Sequence, residues 1–201
     1  MRKIILASSS PRRKELLELV GIPFNIHPSD VIEKMDDDLE PSQIVEQLAL
    51  QKAKDVAKYY DEEIIIGADT IVVLQGQILG KPINEEDAFR ILKQLQGKPH
   101  LVYSGIALID SKTGRSQTNH QVTKVFMSSL TDEEILSYIQ TKEPMDKAGA
   151  YGIQGIGAIF IEKIEGDYFN VVGLPLSLLN SFLKSFDVDV MADFVNPKSK
   201  V

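Results

Sequence analysis

Asp69 lies where a carboxylate is least expected. Residues 64–74 read IIIGADTIVVL, so apolar side chains typical of a buried strand flank Asp69 on both sides. A buried ion without a partner is costly, and the sequence therefore predicts a compensating cation. Such a carboxylate could bind a metal ion or accept a proton. Gly67 further predicts a break in the strand, where a ligand could come close to the backbone.

The start of the first predicted helix is a candidate anion site. Ser8 to Ser10 precede Pro11, and Arg12, Arg13 and Lys14 follow. Cations at a helix N-terminus oppose the helix dipole, whereas free N–H groups, hydroxyls and guanidinium groups together suit phosphate oxygens. A bound anion would explain this arrangement. The alternative is that the arginines simply extend into solvent.

Lys52 and Lys81 are the candidate cations for Asp69 or for an anion. Lys52 follows Val45 by about two helical turns, which places it within or beside the apolar stripe of its predicted helix. Lys81 precedes Pro82, which restricts its backbone, and it is one predicted hairpin away from Asp69. The alternatives are a Lys52 that reaches water and an ordinary turn lysine at position 81.

Glu33 and Gln154 complete the candidate residues. Glu33 opens an acidic run with Asp36 to Asp38, which is either a solvated loop or a source of a metal ligand. Gln154 lies in GAYGIQG, residues 149–155, and its amide offers donors and an acceptor to a planar base edge. The sequence has no Walker-type phosphate loop, and its histidines lack zinc spacing.

Composition limits the function classes. The chain has 201 residues, 43% of them hydrophobic, which is enough for one core in one domain. A formal net charge of −7 argues against binding to a nucleic acid polymer or an anionic membrane. The absence of cysteine excludes disulfides and thiolate metal sites. No apolar run matches a signal peptide or a membrane helix, so we predict a cytoplasmic protein.

The elements that must position these residues alternate between strands and helices. Apolar runs predict strands at 3–7, 23–27, 63–67, 70–74, 77–79, 99–110, 115–128 and 158–163. Helical spacing predicts helices at about 11–20, 42–60, 85–96, 132–142 and 175–186. Ser10 and Asn84 are predicted N-caps, and Thr131 to Glu134 match a capping box. We predict an α/β fold, a single domain with a central mixed β-sheet flanked by helices. Residues 187–201 lack periodicity and are expected to be weakly ordered.

Three motifs resemble those of the Maf family of nucleoside triphosphate pyrophosphatases. They are LASSSPRRKELL at 6–17, GADTIVVLQGQILGKP at 67–82 and MDKAGAYGIQG at 145–155. The resemblance implies a Maf-like domain over residues 1–186 with a Maf/ITPase-like fold. It also implies hydrolysis of a nucleoside triphosphate to the monophosphate and pyrophosphate with a divalent cation, Mg²⁺ or Mn²⁺. The last motif is similar to the branch that acts on dTTP and UTP.

The resemblance also implies roles for individual residues. Asp69 matches the family's catalytic aspartate, and Glu33 and Asp69 are expected to bind the metal. The positions that match substrate-binding residues of the family are Ser8, Arg12, Arg13, Lys52, Thr70, Lys81 and Gln154. Among these, Arg12, Thr70 and Gln154 match positions linked to substrate choice. Whether Asp69 acts as general base or mainly as metal ligand stays open.

The expected function is therefore hydrolysis of dTTP and UTP, and of related or modified pyrimidine nucleotides. An alternative from another class is a nucleotide-sensing regulator of cell division or septum formation, in which turnover is incidental. The resemblance suggests a homodimer as well.

Overall fold

A computed structural model describes residues 2–33 and 38–195 of the chain, the last three through their backbone alone. The strands are β1 Ile4–Leu6, β2 Asn25–Ile26, β3 Ile64–Leu74, β4 Gln77–Leu79, β5 Pro99–Asp110, β6 Ser116–Met127 and β7 Ile161–Glu165. The α-helices are α1 Pro11–Leu19, α2 Pro41–Ala57, α3 Glu85–Leu95, α4 Asp132–Gln140, α5 Tyr168–Val172, α6 Leu176–Ser185 and α7 Val190–Val195. Short 3-10 helices span Glu143–Asp146, Ala148–Ala150 and Ile156–Phe160.

The strands form a mixed sheet in the order β2-β1-β3-β5-β6-β7, with β4 paired to β3. Strand β1 runs parallel to both β2 and β3, and the register pairs Ile4 with Ile64. Strand β4 is antiparallel to β3, and β7 is antiparallel to β6. The predicted α/β class, with a mixed sheet flanked by helices, is confirmed. In the described part of the chain, no helix is long and apolar enough to cross a membrane.

Contacts between Cα atoms divide the chain into two compact units. The first unit contains Met1–Asp69, Gly105–His120 and Gly173–Val201, and the second contains Thr70–Ser104 and Gln121–Val172. No feature of the sequence indicated this division. Strands β3, β5 and β6 each contribute residues to both units. The predicted boundary at residue 186 stays a prediction, although Val190–Val195 within the predicted tail is helical.

In the first unit, α2 packs directly on the sheet. Its buried residues Ala49, Ala53 and Val56 share an apolar cluster with Ile65 of β3 and Ala107 of β5. Small side chains on the helix allow this close approach, and glycine allows it on the strands. A Cβ atom at Gly67 would lie 2.1 Å from the carbonyl oxygen of Ala49, and one at Gly105 would lie 2.3 Å from the carbonyl oxygen of Val45.

Strand β3 corrects two predictions about this region. The strands predicted at 63–67 and 70–74 are one continuous strand, Ile64–Leu74, and Asp69 lies inside it. Gly67 does not open the strand to a ligand, because its open side is filled by the backbone of α2. The prediction of two separate strands was wrong because a glycine and an aspartate near each other usually break a strand. Here both residues face a helix that accommodates them.

In the second unit, α3 and α4 pack together through apolar side chains that include Leu92, Ile135 and Tyr138. The N-caps predicted at Asn84 and Thr131 are confirmed. The side chain of Asn84 accepts a hydrogen bond from the backbone N–H of Asp87 at 2.8 Å. Thr131 and Glu134 form the predicted capping box at the start of α4. These local signals were readable because a cap depends only on neighbours in the chain.

Two features near residue 160 differ from the prediction. The strand predicted at 158–163 is shifted to Ile161–Glu165, because residues 156–160 form a 3-10 helix instead. Helix α5 was missed because it spans only Tyr168–Val172, too short for a periodic pattern. Its one local signal is Asp167, whose carboxylate accepts a hydrogen bond from the N–H of Phe169 at 2.8 Å.

The close packing of α2 on the sheet predicts that one added methyl group at Gly67 strongly lowers stability. Gly67→Ala should lower the free energy of unfolding by about 3 kcal/mol, because the new Cβ forces the helix away from the strand. The matched control is Gly80→Ala, where nothing lies within 4 Å of an added Cβ. Urea denaturation of both variants measures the difference. Equal midpoints for the two variants would contradict the close packing at Gly67.

Candidate active site

Lys52 is the cation that compensates Asp69. Its Nζ atom lies 2.6 Å from Asp69 Oδ1 and 2.8 Å from Glu33 Oε1. The side chains of Lys52 and Asp69 are only 15% and 11% exposed, whereas that of Glu33 is 49% exposed. The structure therefore brings three of the predicted site residues together in the first unit. The alternative that Lys52 simply extends to water is excluded by these contacts.

The packing of α2 explains how this contact forms. Ala49 and Ala53 of α2 lie against the face of β3 that carries Gly67. Asp69 is two residues further along the strand and shares that face, because side chains of a strand alternate. Lys52 immediately precedes Ala53, so its stem runs beside the strand and its ammonium reaches the carboxylate. A cation and a carboxylate are thus held on rigid elements rather than on loops.

Arg13 is fixed near the start of α1 in the first unit. It is buried, its Nε donates to the carbonyl of Gly173 at 2.9 Å, and its Nη1 donates to Ser8 Oγ at 3.0 Å. Burial lowers the pKa of Arg13, the charge of Asp69 raises it, and the neighbouring Arg12 lowers it further. An arginine nevertheless stays charged at neutral pH. Arg13 therefore provides a positive charge whose position is set by the fold.

Ser8 is a hydrogen-bond donor held in place by its neighbours. Its Oγ accepts from Arg13 Nη1 at 3.0 Å and from the backbone N–H of Ser10 at 3.2 Å. A hydroxyl that accepts two hydrogen bonds still has its own proton to donate. That proton suits an anion such as a phosphate oxygen. Ser10 occupies the predicted N-cap position, but its side chain makes no capping hydrogen bond.

The described part of the first unit offers two carboxylates to a divalent cation. Glu33 and Asp69 converge on one ammonium group, which shows that oxygen atoms meet there. Within residues 2–33 and 38–195, no group of three or more acidic or histidine side chains could hold a metal by itself. Mg²⁺ is usually bound by one or two carboxylates together with phosphates and water, so this pair suits it. Asp36 and Asp37 lie outside the described residues.

Thr70 belongs to the second unit and takes part in a buried polar chain. Its Oγ1 lies 2.8 Å from Ser104 Oγ, and Ser104 donates to the carbonyl of Asn170 at 2.8 Å. Because Ser104 has a single proton, Thr70 must be the donor in the first of these bonds. Ser104 and Asn170 are both fully buried. The sequence did not indicate either residue, since each stands alone among apolar neighbours.

Lys81 and Gln154 also lie in the second unit. The N–H of Gly149 donates to the carbonyl of Gly80 at 3.0 Å, so the LGKP turn contacts the glycine-rich segment. The Lys81 side chain is exposed, and Gln154 is half-buried. Among the residues that the structure describes, neither side chain has a hydrogen-bond or ion-pair partner. Both are therefore available to a ligand. Arg12 is half-buried at the first turn of α1.

Comparison with known proteins supports the resemblance seen in the motifs. A family model described as Maf-like protein matches residues 3–186. A dTTP/UTP pyrophosphatase of Bacillus cereus (strain AH187) is 54% identical over 190 residues, which cover 94% of this chain and 98% of that protein. One of Acetivibrio thermocellus is 52% identical over 198 residues, which cover 95% and 98%.

A solved structure is similar in fold. A HAM1 protein from Coxiella burnetii matches with a TM-score of 0.52 and 16% identity, over 92% of this chain and 100% of that chain. At this level of identity the similarity concerns the fold alone.

The Lys52–Asp69 contact predicts how stability responds to loss of the ammonium. Lys52→Met should lower the free energy of unfolding by about 3 kcal/mol, because it leaves a buried carboxylate without its partner. Adding Asp69→Leu should recover most of that loss, since no unpaired charge then remains at the strand. Urea denaturation at neutral pH measures both effects.

The matched control is Lys58→Met at the end of the same helix. Lys58 pairs with Asp55 at 3.3 Å, but its side chain is 68% exposed. Its loss should change stability by less than about 0.5 kcal/mol. If the Lys52 and Lys58 variants lost equal stability, the buried contact would not have the importance assigned to it.

Proposed function

The chain belongs to the family of Maf-like proteins, and from that premise we propose that it is a nucleoside triphosphate pyrophosphatase. The proposed substrates are dTTP and UTP, and the products are the monophosphate and pyrophosphate. Relatives more than 50% identical over nearly the whole chain are named dTTP/UTP pyrophosphatases. The observation that carries the proposal is the Asp69 carboxylate, held on a buried strand by Lys52.

Asp69 is proposed as the group that activates the attacking water. Lys52 holds Oδ1, which leaves Oδ2 to accept a proton from water. The water oxygen then bonds to phosphorus as the bond between the α and β phosphates breaks. The pair of electrons of that bond leaves with pyrophosphate. The developing negative charge is stabilised by fixed cations, which act without reorganising during the reaction.

The triphosphate is proposed to bind to the cationic residues and to Ser8. Arg13 and Ser8 are held together by a hydrogen bond, so they present a charge and a donor in a fixed geometry. Arg12, Lys52 and Lys81 would add further charge. Glu33 and Asp69 would hold a divalent cation, which supplies charge neutralisation and polarises the phosphate when bound. Two carboxylates alone are too few for such a cation, and phosphate oxygens of the substrate would supply further ligands.

Base selection is proposed to rest on Gln154 and Thr70. The pairing edge of uracil or thymine carries carbonyl oxygens and one N–H, and the Gln154 amide can donate to the first and accept from the second. Thr70 donates its proton to Ser104, so its oxygen can only accept toward a ligand. A site built to hydrogen-bond a group discriminates strongly against analogues that lack it.

The regulator of cell division is not favoured, because the relatives are named as enzymes. The divalent cation, the homodimer and a cytoplasmic location stay predictions. Action on modified pyrimidine nucleotides is also a prediction.

Asp69→Asn tests the catalytic assignment. The variant should lower kcat for pyrophosphate release from UTP with Mg²⁺ by about a hundredfold or more, because asparagine cannot accept the proton. Asp61→Asn, an exposed aspartate of the same unit, should leave kcat unchanged. A chelator should abolish turnover, and Mg²⁺ or Mn²⁺ should restore it. Wild-type turnover by the Asp69 variant would exclude the proposed role.

A comparison of Gln154→Ala with Lys81→Ala separates base recognition from phosphate binding. The Gln154 variant should lower kcat/KM for UTP and dTTP while leaving that for poorer nucleotides nearly unchanged. The Lys81 variant should lower kcat/KM for every triphosphate alike, since phosphates are common to all. Steady-state kinetics over a nucleotide panel measures both. Equal losses across bases for Gln154→Ala would exclude its base-reading role.

A further inference from the structure

Glu143 in the second unit receives hydrogen bonds from three donors. Its Oε1 accepts from the hydroxyl of Tyr138 at 2.9 Å and from the N–H of Gly157 at 3.0 Å. Its Oε2 accepts from the N–H of Ile156 at 2.9 Å. The Tyr138 oxygen in turn accepts from the N–H of Gly152 at 3.3 Å. Glu143 and Tyr138 therefore form one polar anchor for residues 152–157.

This anchor contacts the chain on both sides of Gln154. Gly152 lies two residues before Gln154, and Ile156 and Gly157 lie two and three residues after it. The anchor does not contact Gln154 itself, whose amide has no hydrogen-bond partner among the residues that the structure describes. The backbone around Gln154 is thus held at two points while its amide stays available. That is the arrangement expected of a side chain positioned to read a ligand.

Two glycines show how closely the chain approaches the anchor. Gly155 has φ of +73°, and a Cβ atom there would lie 2.7 Å from Glu143 Oε2. A Cβ at Gly157 would lie 2.4 Å from the hydroxyl oxygen of Tyr138. Side chains at these positions would force the segment away from Glu143. Both glycines follow Gln154, and the lack of a side chain at each allows the segment to lie against the anchor.

Glu143 and Tyr138 have the protonation states that these hydrogen bonds require. Burial raises the pKa of Glu143, but hydrogen bonds from Gly157, Ile156 and Tyr138 lower it below the ordinary value, assisted by the charge of Lys147. Burial and the neighbouring Glu143 raise the pKa of Tyr138. At neutral pH the carboxylate is therefore ionised and accepts, while the phenol keeps its proton and donates. Lys147 Nζ also donates to the carbonyl of Glu143 at 2.5 Å.

We propose that Glu143 is a positioning residue for base selection, which holds residues 152–157 so that the Gln154 amide meets the pairing edge of the pyrimidine. The role rests on the proposed function and adds to it a residue outside the predicted site. Glu143 does not touch the substrate. It acts through Gln154.

The test is a double-mutant cycle between Glu143→Gln and Gln154→Ala. Glutamine keeps the size of Glu143, but its NH₂ group replaces one acceptor oxygen, so at least one of the three hydrogen bonds is lost. Glu143→Gln should reduce the ratio of kcat/KM for UTP to that for CTP by about tenfold, the factor expected when one hydrogen bond to the base is lost. The change should appear in KM for UTP, with kcat within about twofold of wild type. In the Gln154→Ala background the same substitution should leave the ratio unchanged.

Glu134→Gln is the matched control. Glu134 lies in the same unit and accepts hydrogen bonds from the N–H and hydroxyl of Thr131 at 2.7 and 2.9 Å. The substitution removes an equal charge and weakens a helix cap, but Glu134 does not contact residues 152–157. It should leave the UTP to CTP ratio unchanged. Equal losses for UTP and CTP in Glu143→Gln, or an undiminished effect in the Gln154→Ala background, would overturn the proposal.

Two further measurements keep the proposal testable if the variant does not fold or if the protein does not turn over nucleotides. If circular dichroism shows that Glu143→Gln is unfolded, Tyr138→Phe replaces it in the cycle, because it removes the hydroxyl but keeps the ring packed on Phe160. If wild type turns over no nucleotide, the proposed function is wrong, and equilibrium binding of UTP and CTP replaces kinetics. A binding preference for UTP that Glu143→Gln reduces would still support the positioning role, and one that it leaves intact would overturn it.

Discussion

The close approach of helix α2 to the sheet is the constraint on which the candidate site depends. Gly67 and Gly105 leave no room for a side chain between the strands and the helix backbone. Because α2 lies so near, Lys52 reaches Asp69 at 2.6 Å inside an otherwise apolar layer. A carboxylate on a buried strand becomes tolerable only with that partner. The fold and the proposed chemistry thus depend on the same packing contact.

A second principle is that the proposed functional side chains are held by groups that do not themselves react. Arg13 is fixed by Ser8 and by the carbonyl of Gly173. Thr70 is oriented by Ser104, and the chain around Gln154 is anchored by Glu143. Each of these contacts restricts a side chain or a segment before any ligand arrives. Such preorganisation reduces the conformational entropy that is lost on binding.

The sequence predicted much of this because several signals are local. Asp69 stood out against its apolar neighbours, Lys52 against the stripe of its helix, and the caps at Asn84 and Thr131 depend on residues within one turn. The contacts of Ser104 and Glu143 could not be read in this way. Ser104 meets Thr70 across two strands, and Glu143 meets Gly157 only after the chain has folded back. Neither contact leaves a pattern in sequence spacing. The continuous strand through Asp69 was missed because glycine and aspartate are usually depleted in strands, and the helix that accommodates both is distant in sequence.

The most direct test of the central claim is the identity of the products formed from UTP. Phosphorus NMR of a reaction with wild-type protein and Mg²⁺ distinguishes cleavage between the α and β phosphates from cleavage between the β and γ phosphates. The proposed mechanism predicts UMP and pyrophosphate in equal amounts, with neither UDP nor orthophosphate as a first product. Formation of UDP and orthophosphate, or tight binding of UTP without any turnover, would contradict it.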